Sequence, residues 1–230
     1  MKKIILILFL FFLCYACYYI YNITEDKRLD VVAIGDSISN NVLLKNDSNI
    51  ASYNTIFTNK DYHINDLLSI IKYNQEIEID GKTISIHQLL KKADILIISI
   101  GMNDIYYKIT GDSKEIYTYL NNILVSYEEI LLHISKYDYK DVYILNYYNI
   151  NNEHNDLFIY INYKLNKLAN KYHYNYLDIA KTLNNKPEYY QKSTDFPLNN
   201  MGYRQIYKLI VEKLKKTWYN IKCVYYYDLN

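Results

Sequence analysis

Three apolar runs constrain the fold of this chain most strongly. They read LDVVAIG at residues 29–35, DILIISIG at 94–101 and DVYILNYY at 141–148. Runs of this length without regular polar alternation are typical of strands that are buried on both faces of a sheet. Segments with helical spacing of apolar residues lie between them, so the sequence predicts an α/β domain, a parallel sheet with helices on both faces.

Further segments extend the α/β pattern. SYNTIFT (52–58) is predicted as the second strand, YNYLDIA (174–180) as the last, and the run 94–101 as the central strand. EIEIDGKTISI (76–86) alternates around Asp80 and Gly81, which predicts a β-hairpin inserted in the domain. A polar loop is predicted over 181–199. The predicted helices are 64–74, 87–93, 114–136, 155–172 and 202–216.

The N-terminus carries the clearest signal for localisation. Lys2 and Lys3 precede the uncharged run IILILFLFFLCYACYYI, residues 4–20, which has about the length that spans a bilayer. We predict a single-pass anchor in the cell membrane with the rest of the chain outside the cytoplasm. The alternative is a lipoprotein signal in which Cys17 is lipidated after cleavage.

The chain is therefore divided into four predicted parts. They are an anchor or signal segment (1–22), a tether (23–29), the α/β domain (30–216) and a C-terminal tail (217–230). The length suits one domain plus these extras.

Composition and spacing argue against several classes of partner. The 26 Lys and Arg residues nearly balance the 25 Asp and Glu residues, and no basic block stands out, which argues against nucleic-acid binding. The five histidines lack HxxxH spacing, and the sequence has no glycine-rich phosphate loop. We therefore predict no metal and no cofactor.

Polar residues follow the predicted strands where each strand ends. In parallel α/β sheets, ligands bind beyond the carboxyl ends of the strands. The segments at those ends are GDS, GMND, NYYNINNEH and STDFPLNNMGY. The side chains expected to converge there are Ser37, Asn103, Asp104, Asn149, His154 and Asp195.

Two of these segments carry a resemblance to a known family. IGDSIS and ISIGMNDIYY resemble the first and third sequence blocks of the SGNH, or GDSL, hydrolases, and the order of segments over 30–216 is also similar. The resemblance implies a flavodoxin-like sheet and ester hydrolysis by a serine nucleophile, here Ser37. It implies an oxyanion hole formed by the backbone N–H of Ser37, the N–H of a second-block glycine and the side-chain amide of Asn103.

The residues around these motifs have structural interpretations as well. Gly35 and Gly101 permit sharp turns off a strand. Asp36 and Asp104 are expected to brace the serine turn or to cap a helix.

The sequence departs from the family in two places. The second-block glycine has no counterpart except Thr58 or Asn59. In the fifth block, which carries an aspartate and a histidine before Gly-Tyr, alignment on Gly202 places Thr194 and Pro197 at those positions. Candidate replacements for the base are His154, which follows a strand, and Asp195. His63 is expected to cap a helix or to be exposed.

Two functions remain open from the sequence. The first is a membrane-anchored, extracytoplasmic hydrolase of acyl or acetyl esters on a small molecule, glycan or lipid. The second is a pseudoenzyme that uses the same fold to bind a glycan, lipid or protein partner without turnover, because a serine hydroxyl needs a base to become an effective nucleophile.

Overall fold

A computed structural model describes residues 11–15, 29–36, 52–109, 115–149, 154–191 and 198–227. The strands are β1 (Leu29–Gly35), β2 (Ser52–Thr58), β3 (Glu76–Ile79), β4 (Lys82–Ser85), β5 (Ile95–Ser99), β6 (Asp141–Leu145) and β7 (Asn175–Leu177). The helices are α1 (11–15), α2 (Ile64–Lys72), α3 (Ile86–Lys92), α4 (Met102–Ile109), α5 (Ile116–Ile134), α6 (Asn155–Lys171), α7 (Ala180–Leu183) and α8 (Asn200–Tyr227).

Five strands form one parallel sheet in the order β2-β1-β5-β6-β7. The central position of β5 confirms the prediction from its apolar run. Every residue of β5 is buried. Because side chains alternate between the two faces of a strand, this burial means that the sheet is covered on both sides. The predicted parallel α/β architecture is therefore confirmed.

The sequence predicted several elements to the residue. β1 and β2 have the predicted bounds, and β3 and β4 form the predicted antiparallel hairpin. Asp80 and Gly81 have φ values of 50° and 75°, which suits the two central positions of a tight hairpin turn. Ile64, Leu67, Leu68 and Ile71 lie on the buried face of α2, as its helical spacing predicted.

Other elements differ from the predictions. Helix α4 was not predicted, because GMND was interpreted only as the end of a strand. The predicted loop 181–199 contains the last residues of α7, a 3₁₀ turn at Pro187–Tyr189 and a β-bridge between Tyr190 and Leu198. The final helix extends beyond 216 to Tyr227.

The N-terminal prediction falls mostly outside the described residues. Of the run 4–20, the structure describes only residues 11–15, which are helical. Cys17 and residues 23–28 of the tether also lie outside. Among the residues that are described, no helix is long and apolar enough to cross a membrane. The anchor therefore stays a prediction.

Tyrosines in the core and packed against it oppose folding when they ionise, so we expect unfolding at alkaline pH. Burial raises the pKa of Tyr174, Tyr176 and Tyr190 to about 12, and it raises the pKa of Tyr147 and Tyr148 well above 10. An unfolded tyrosine ionises near pH 10. The stability that the neutral side chains contribute is therefore complete below pH 10 and is lost as the pH rises toward 12.

Circular dichroism and tyrosinate absorbance, followed together in an alkaline titration, check this expectation. The buried tyrosines should ionise in the same transition in which helical signal disappears. Complete tyrosinate formation in a chain that keeps its native circular dichroism would contradict it.

Candidate active site

The turn that ends β1 lies directly against the end of β5. Gly35 has a φ of 132°, and a Cβ atom placed on it would lie 1.7 Å from the backbone oxygen of Ser99. The N–H of Asp36 donates a hydrogen bond of 2.7 Å to the same oxygen. Only glycine fits this close approach. Gly35 and Asp36 therefore leave the sheet in contact with β5.

Asp36 connects the first motif to the second. Its buried carboxylate accepts hydrogen bonds from Ser99 Oγ at 3.1 Å and from the N–H of Met102, the first residue of α4, at 3.2 Å. Both bonds satisfy groups that have little access to water. Asp36 thus braces the turn and fixes the start of the helix that carries Asn103 and Asp104.

Replacing Asp36 by alanine should lower the free energy of unfolding by about 2–4 kcal/mol, because the Met102 N–H and the Ser99 hydroxyl lose a buried acceptor. Asp36→Asn should lower it by about 1 kcal/mol or less, since the amide oxygen can accept from Met102 while its NH₂ donates to Ser99 Oγ. Urea unfolding of the two variants measures this difference. An equal fall in the free energy of unfolding for Asp36→Ala and Asp36→Asn would show that the hydrogen bonds to Met102 and Ser99 do not cause the destabilisation.

Asn103 holds the loop that follows β2. Its Nδ2 atom donates to the backbone oxygens of Lys60 at 2.7 Å and Tyr62 at 2.9 Å. Because both partners are acceptors, the orientation of the amide is fixed and both of its hydrogens are engaged. The predicted oxyanion role of Asn103 therefore requires that one of these hydrogen bonds be exchanged for the substrate.

Asp104 lies behind the first turn of α2. Its Oδ2 accepts the N–H of Ile64 at 3.0 Å, and its Oδ1 lies 3.3 Å from Nδ1 of His63. Burial raises the pKa of Asp104, while the Ile64 N–H and the neighbouring His63 oppose the rise. The carboxylate thus caps α2, as one of its sequence interpretations stated, and also contacts an imidazole.

Gly101 lies against the side chain of Tyr147, a residue in the segment that follows β6. Its φ is 105°, and an added Cβ would lie 2.6 Å from the hydroxyl oxygen of Tyr147. That hydroxyl donates to the backbone oxygen of Ile100 at 2.9 Å. The turn between β5 and α4 is therefore shaped by this buried side chain.

Some of the other predicted residues lie outside the described part of the chain, and those that are described lie elsewhere at the surface or in the core. Ser37, Thr194, Asp195 and Pro197 lie outside the described residues. His154 is exposed at the start of α6 with a left-handed backbone. Asn149 is buried, and its N–H donates to Asn184 Oδ1. Neither Thr58 nor Asn59 has a positive φ, the conformation for which a glycine is favoured.

The pairing of His63 with Asp104 was not predicted. His63 is the N-cap residue of α2, and its side chain is 47% exposed, which agrees with the expectation of capping or exposure. The sequence positions of the two residues could have indicated the pairing, because His63 follows β2, Asp104 follows β5, and both strands end at the carboxyl edge of the sheet. Within the described part of the chain, no three His, Cys, Asp or Glu side chains are placed to hold a metal ion.

A cleft of about 660 Å³ adjoins the loop that Asn103 holds. Tyr62 and Lys60 line one side, and Gln75, Glu76 and Glu78 line the hairpin side. Its walls combine two aromatic rings and three isoleucine side chains with several hydrogen-bonding groups. The cleft is therefore continuous with the loop that contacts Asn103.

Comparison with known proteins finds similarity in the fold and not in the sequence. No family model matches the chain, and no curated protein matches it in sequence. Among solved structures, a catalytic mutant of Axe2, an acetylxylan esterase from Geobacillus stearothermophilus, is similar with a TM-score of 0.61 and 13% identity over 81% of this chain and 94% of that one. The chain has the SGNH hydrolase fold.

Two further solved structures are similar to this chain in fold. TesA has a TM-score of 0.58 and 11% identity, with 82% of this chain and 99% of TesA covered. LAE5, an α/β hydrolase enzyme from the metagenome of Lake Arreo in Spain, has a TM-score of 0.53 and 14% identity, with 81% and 95% covered. The predicted resemblance to the SGNH, or GDSL, hydrolases is therefore confirmed at the level of the fold.

Proposed function

We propose that this chain hydrolyses carboxylic esters with Ser37 as its nucleophile. The observation that carries the proposal is the hydrogen bond between Asp36 and the Met102 N–H. Asp36 directly precedes Ser37, and Met102 directly precedes Asn103, so the two motifs that resemble SGNH hydrolases are in contact. The similarity of the fold to that of an acetylxylan esterase supports the same reaction class.

In the proposed reaction the Ser37 hydroxyl attacks the ester carbonyl and the alcohol leaves, forming an acyl-enzyme that water then hydrolyses. Negative charge develops on the carbonyl oxygen during each attack. Backbone N–H groups of the GDS turn and the amide of Asn103 are the proposed donors to this oxygen. Asn103 serves in this way after it releases the backbone oxygen of Lys60 or Tyr62.

The proposed substrate is a short acyl ester, such as an acetyl group, on a glycan. The similarity of the fold to that of an acetylxylan esterase supports this class, and the cleft beside Tyr62 and Lys60 is the proposed place for the glycan. We also propose that the N-terminal run 4–20 anchors the chain in the cell membrane with the domain outside the cytoplasm, where such a glycan is available.

The engaged amide of Asn103 favours a second candidate, a pseudoenzyme that binds a glycan ester without turnover. In that function the two hydrogen bonds to Lys60 and Tyr62 stay intact and the loop after β2 remains a fixed wall of the cleft.

Turnover assays on the full chain, purified in detergent, separate the two candidates. The hydrolase should release acetate from acetylated xylooligosaccharides and from p-nitrophenyl acetate. Binding of the oligosaccharide in a calorimeter without release of acetate would instead support the pseudoenzyme.

A further inference from the structure

We infer that His63, oriented by Asp104, is the general base of the ester hydrolysis proposed above, on which this inference rests. The imidazole Nδ1 lies 3.3 Å from Oδ1 of Asp104. The carboxylate side chain is 7% exposed and the imidazole 47% exposed. A buried carboxylate behind a half-exposed imidazole is the arrangement that orients a catalytic histidine in serine hydrolases.

The start of α4 fixes the position of this pair. Asp104 Oδ2 accepts the N–H of Ile64, the residue after His63. Asn103, the neighbour of Asp104, holds the backbone oxygens of Lys60 and Tyr62 on the other side of His63. The backbone is therefore anchored both before and after the histidine, which reduces the conformations available to its ring.

The contact with Asp104 also selects the tautomer of His63. An ionised carboxylate accepts hydrogen bonds but donates none, so we assign to His63 the tautomer in which Nδ1 carries the hydrogen that faces Asp104. The lone pair of the neutral ring then lies on Nε2. This is the tautomer in which a histidine can accept a proton from an attacking hydroxyl group.

Position in the sheet distinguishes His63 from the other histidines. His87, His133 and His173 lie on segments that lead into the starts of β5, β6 and β7, at the opposite edge from the strand ends. His63 follows β2, the neighbour of β1, and the N–H of Asn59 in the same loop donates to the backbone oxygen of Gly35 at 3.1 Å. The loop that carries His63 therefore contacts the GDS turn directly.

His154 also lies at the carboxyl edge but lacks the same support. It follows β6, is exposed and begins α6. Among ion pairs of the described residues, the pair that includes a histidine is His63 with Asp104. The orienting carboxylate thus favours His63 over His154.

His63 passes on, within the same half of the reaction, each proton that it accepts. Nε2 of His63 accepts the hydroxyl proton while the serine oxygen forms a bond to the carbonyl carbon, and the carbonyl π pair moves to oxygen. When that intermediate collapses, the imidazolium gives the proton to the departing alcohol oxygen. In the second half, water gives its proton to Nε2 as it attacks the acyl group, and the imidazolium returns a proton to the serine oxygen as the acid leaves.

Steady-state kinetics of the full chain test this assignment with p-nitrophenyl acetate as the probe. His63→Gln should lower kcat by about 10²–10⁴-fold while KM changes by less than about threefold. Added imidazole should restore part of the rate to His63→Ala. Asp104→Asn should lower kcat similarly, because the new NH₂ group donates to Nδ1 and so favours the tautomer with hydrogen on Nε2, which cannot accept the serine proton there. The amide oxygen can still accept the N–H of Ile64, so the start of α2 should be preserved.

His133→Gln is the matched control and should retain the wild-type kcat, since His133 lies in the last turn of α5 at the opposite edge of the sheet. If wild type is active, Ser37→Ala is inactive and His63→Gln matches wild type, the assignment of His63 is overturned while the hydrolase function stands. A wild type without turnover overturns both. The assignment would also be overturned if the fall in kcat of the His63 variants matched their loss of folded protein and added imidazole restored no activity to His63→Ala.

Discussion

Replacing Ser37 by alanine is expected to lower kcat for ester hydrolysis by at least about 10³-fold, because no other group in the proposed mechanism forms the acyl-enzyme. The free energy of unfolding should change by less than about 1 kcal/mol, since one hydroxyl is removed. Acetate release by the full chain, beside the unfolding midpoint in urea, measures both quantities.

Ser135→Ala is a suitable control for Ser37→Ala. Ser135 is exposed at the end of α5, where its hydroxyl donates to the backbone oxygen of Leu132. Its replacement should leave kcat unchanged. Equal activity of wild type and Ser37→Ala would show that any observed hydrolysis does not use this nucleophile.

The largest effect on stability is expected at Gly35. In Gly35→Ala the new Cβ would meet the backbone oxygen of Ser99 at 1.7 Å, and the φ of 132° is one that L residues rarely adopt. The clash involves the ends of β1 and β5, which cannot separate without breaking the sheet. We expect the free energy of unfolding to fall by about 4 kcal/mol or more, enough to prevent folding in a domain of ordinary stability.

Gly81→Ala provides a matched comparison for Gly35→Ala. Gly81 also has a positive φ, of 75°, but an added Cβ there meets nothing within 4 Å. In Gly81→Ala the free energy of unfolding should fall by about 1–2 kcal/mol, because only backbone strain opposes the substitution. Urea unfolding followed by circular dichroism compares the two, and a loss at Gly35 no greater than that at Gly81 would contradict the close contact between β1 and β5.

The sheet could be predicted from sequence because its signals are local. Uninterrupted apolar runs gave the bounds of β1 and the central position of β5, and Asp80 with Gly81 gave the hairpin turn. Helix α4 escaped prediction because GMND, which contains its first residues, was interpreted only as the end of the central strand.

The contacts of the candidate site could not be predicted in the same way. Asn103 donates to backbone oxygens, and because every residue has one, the sequence does not indicate which residues accept these hydrogen bonds. The pairing of His63 with Asp104 depends on the adjacency of β2, β1 and β5 and on where the loop after β2 begins its helix. Motifs could therefore name Asp36, Asn103 and Asp104 as candidates, while their partners required the fold.

Covalent labelling tests the central claim, a serine nucleophile at the GDS turn, most directly. The full chain would be incubated with diisopropyl fluorophosphate, which forms a serine O–P bond with loss of fluoride, and its peptides analysed by mass spectrometry. We predict a single adduct on Ser37 that forms more slowly in His63→Gln. A chain that remains unlabelled, or that carries the adduct on another residue, would contradict the account.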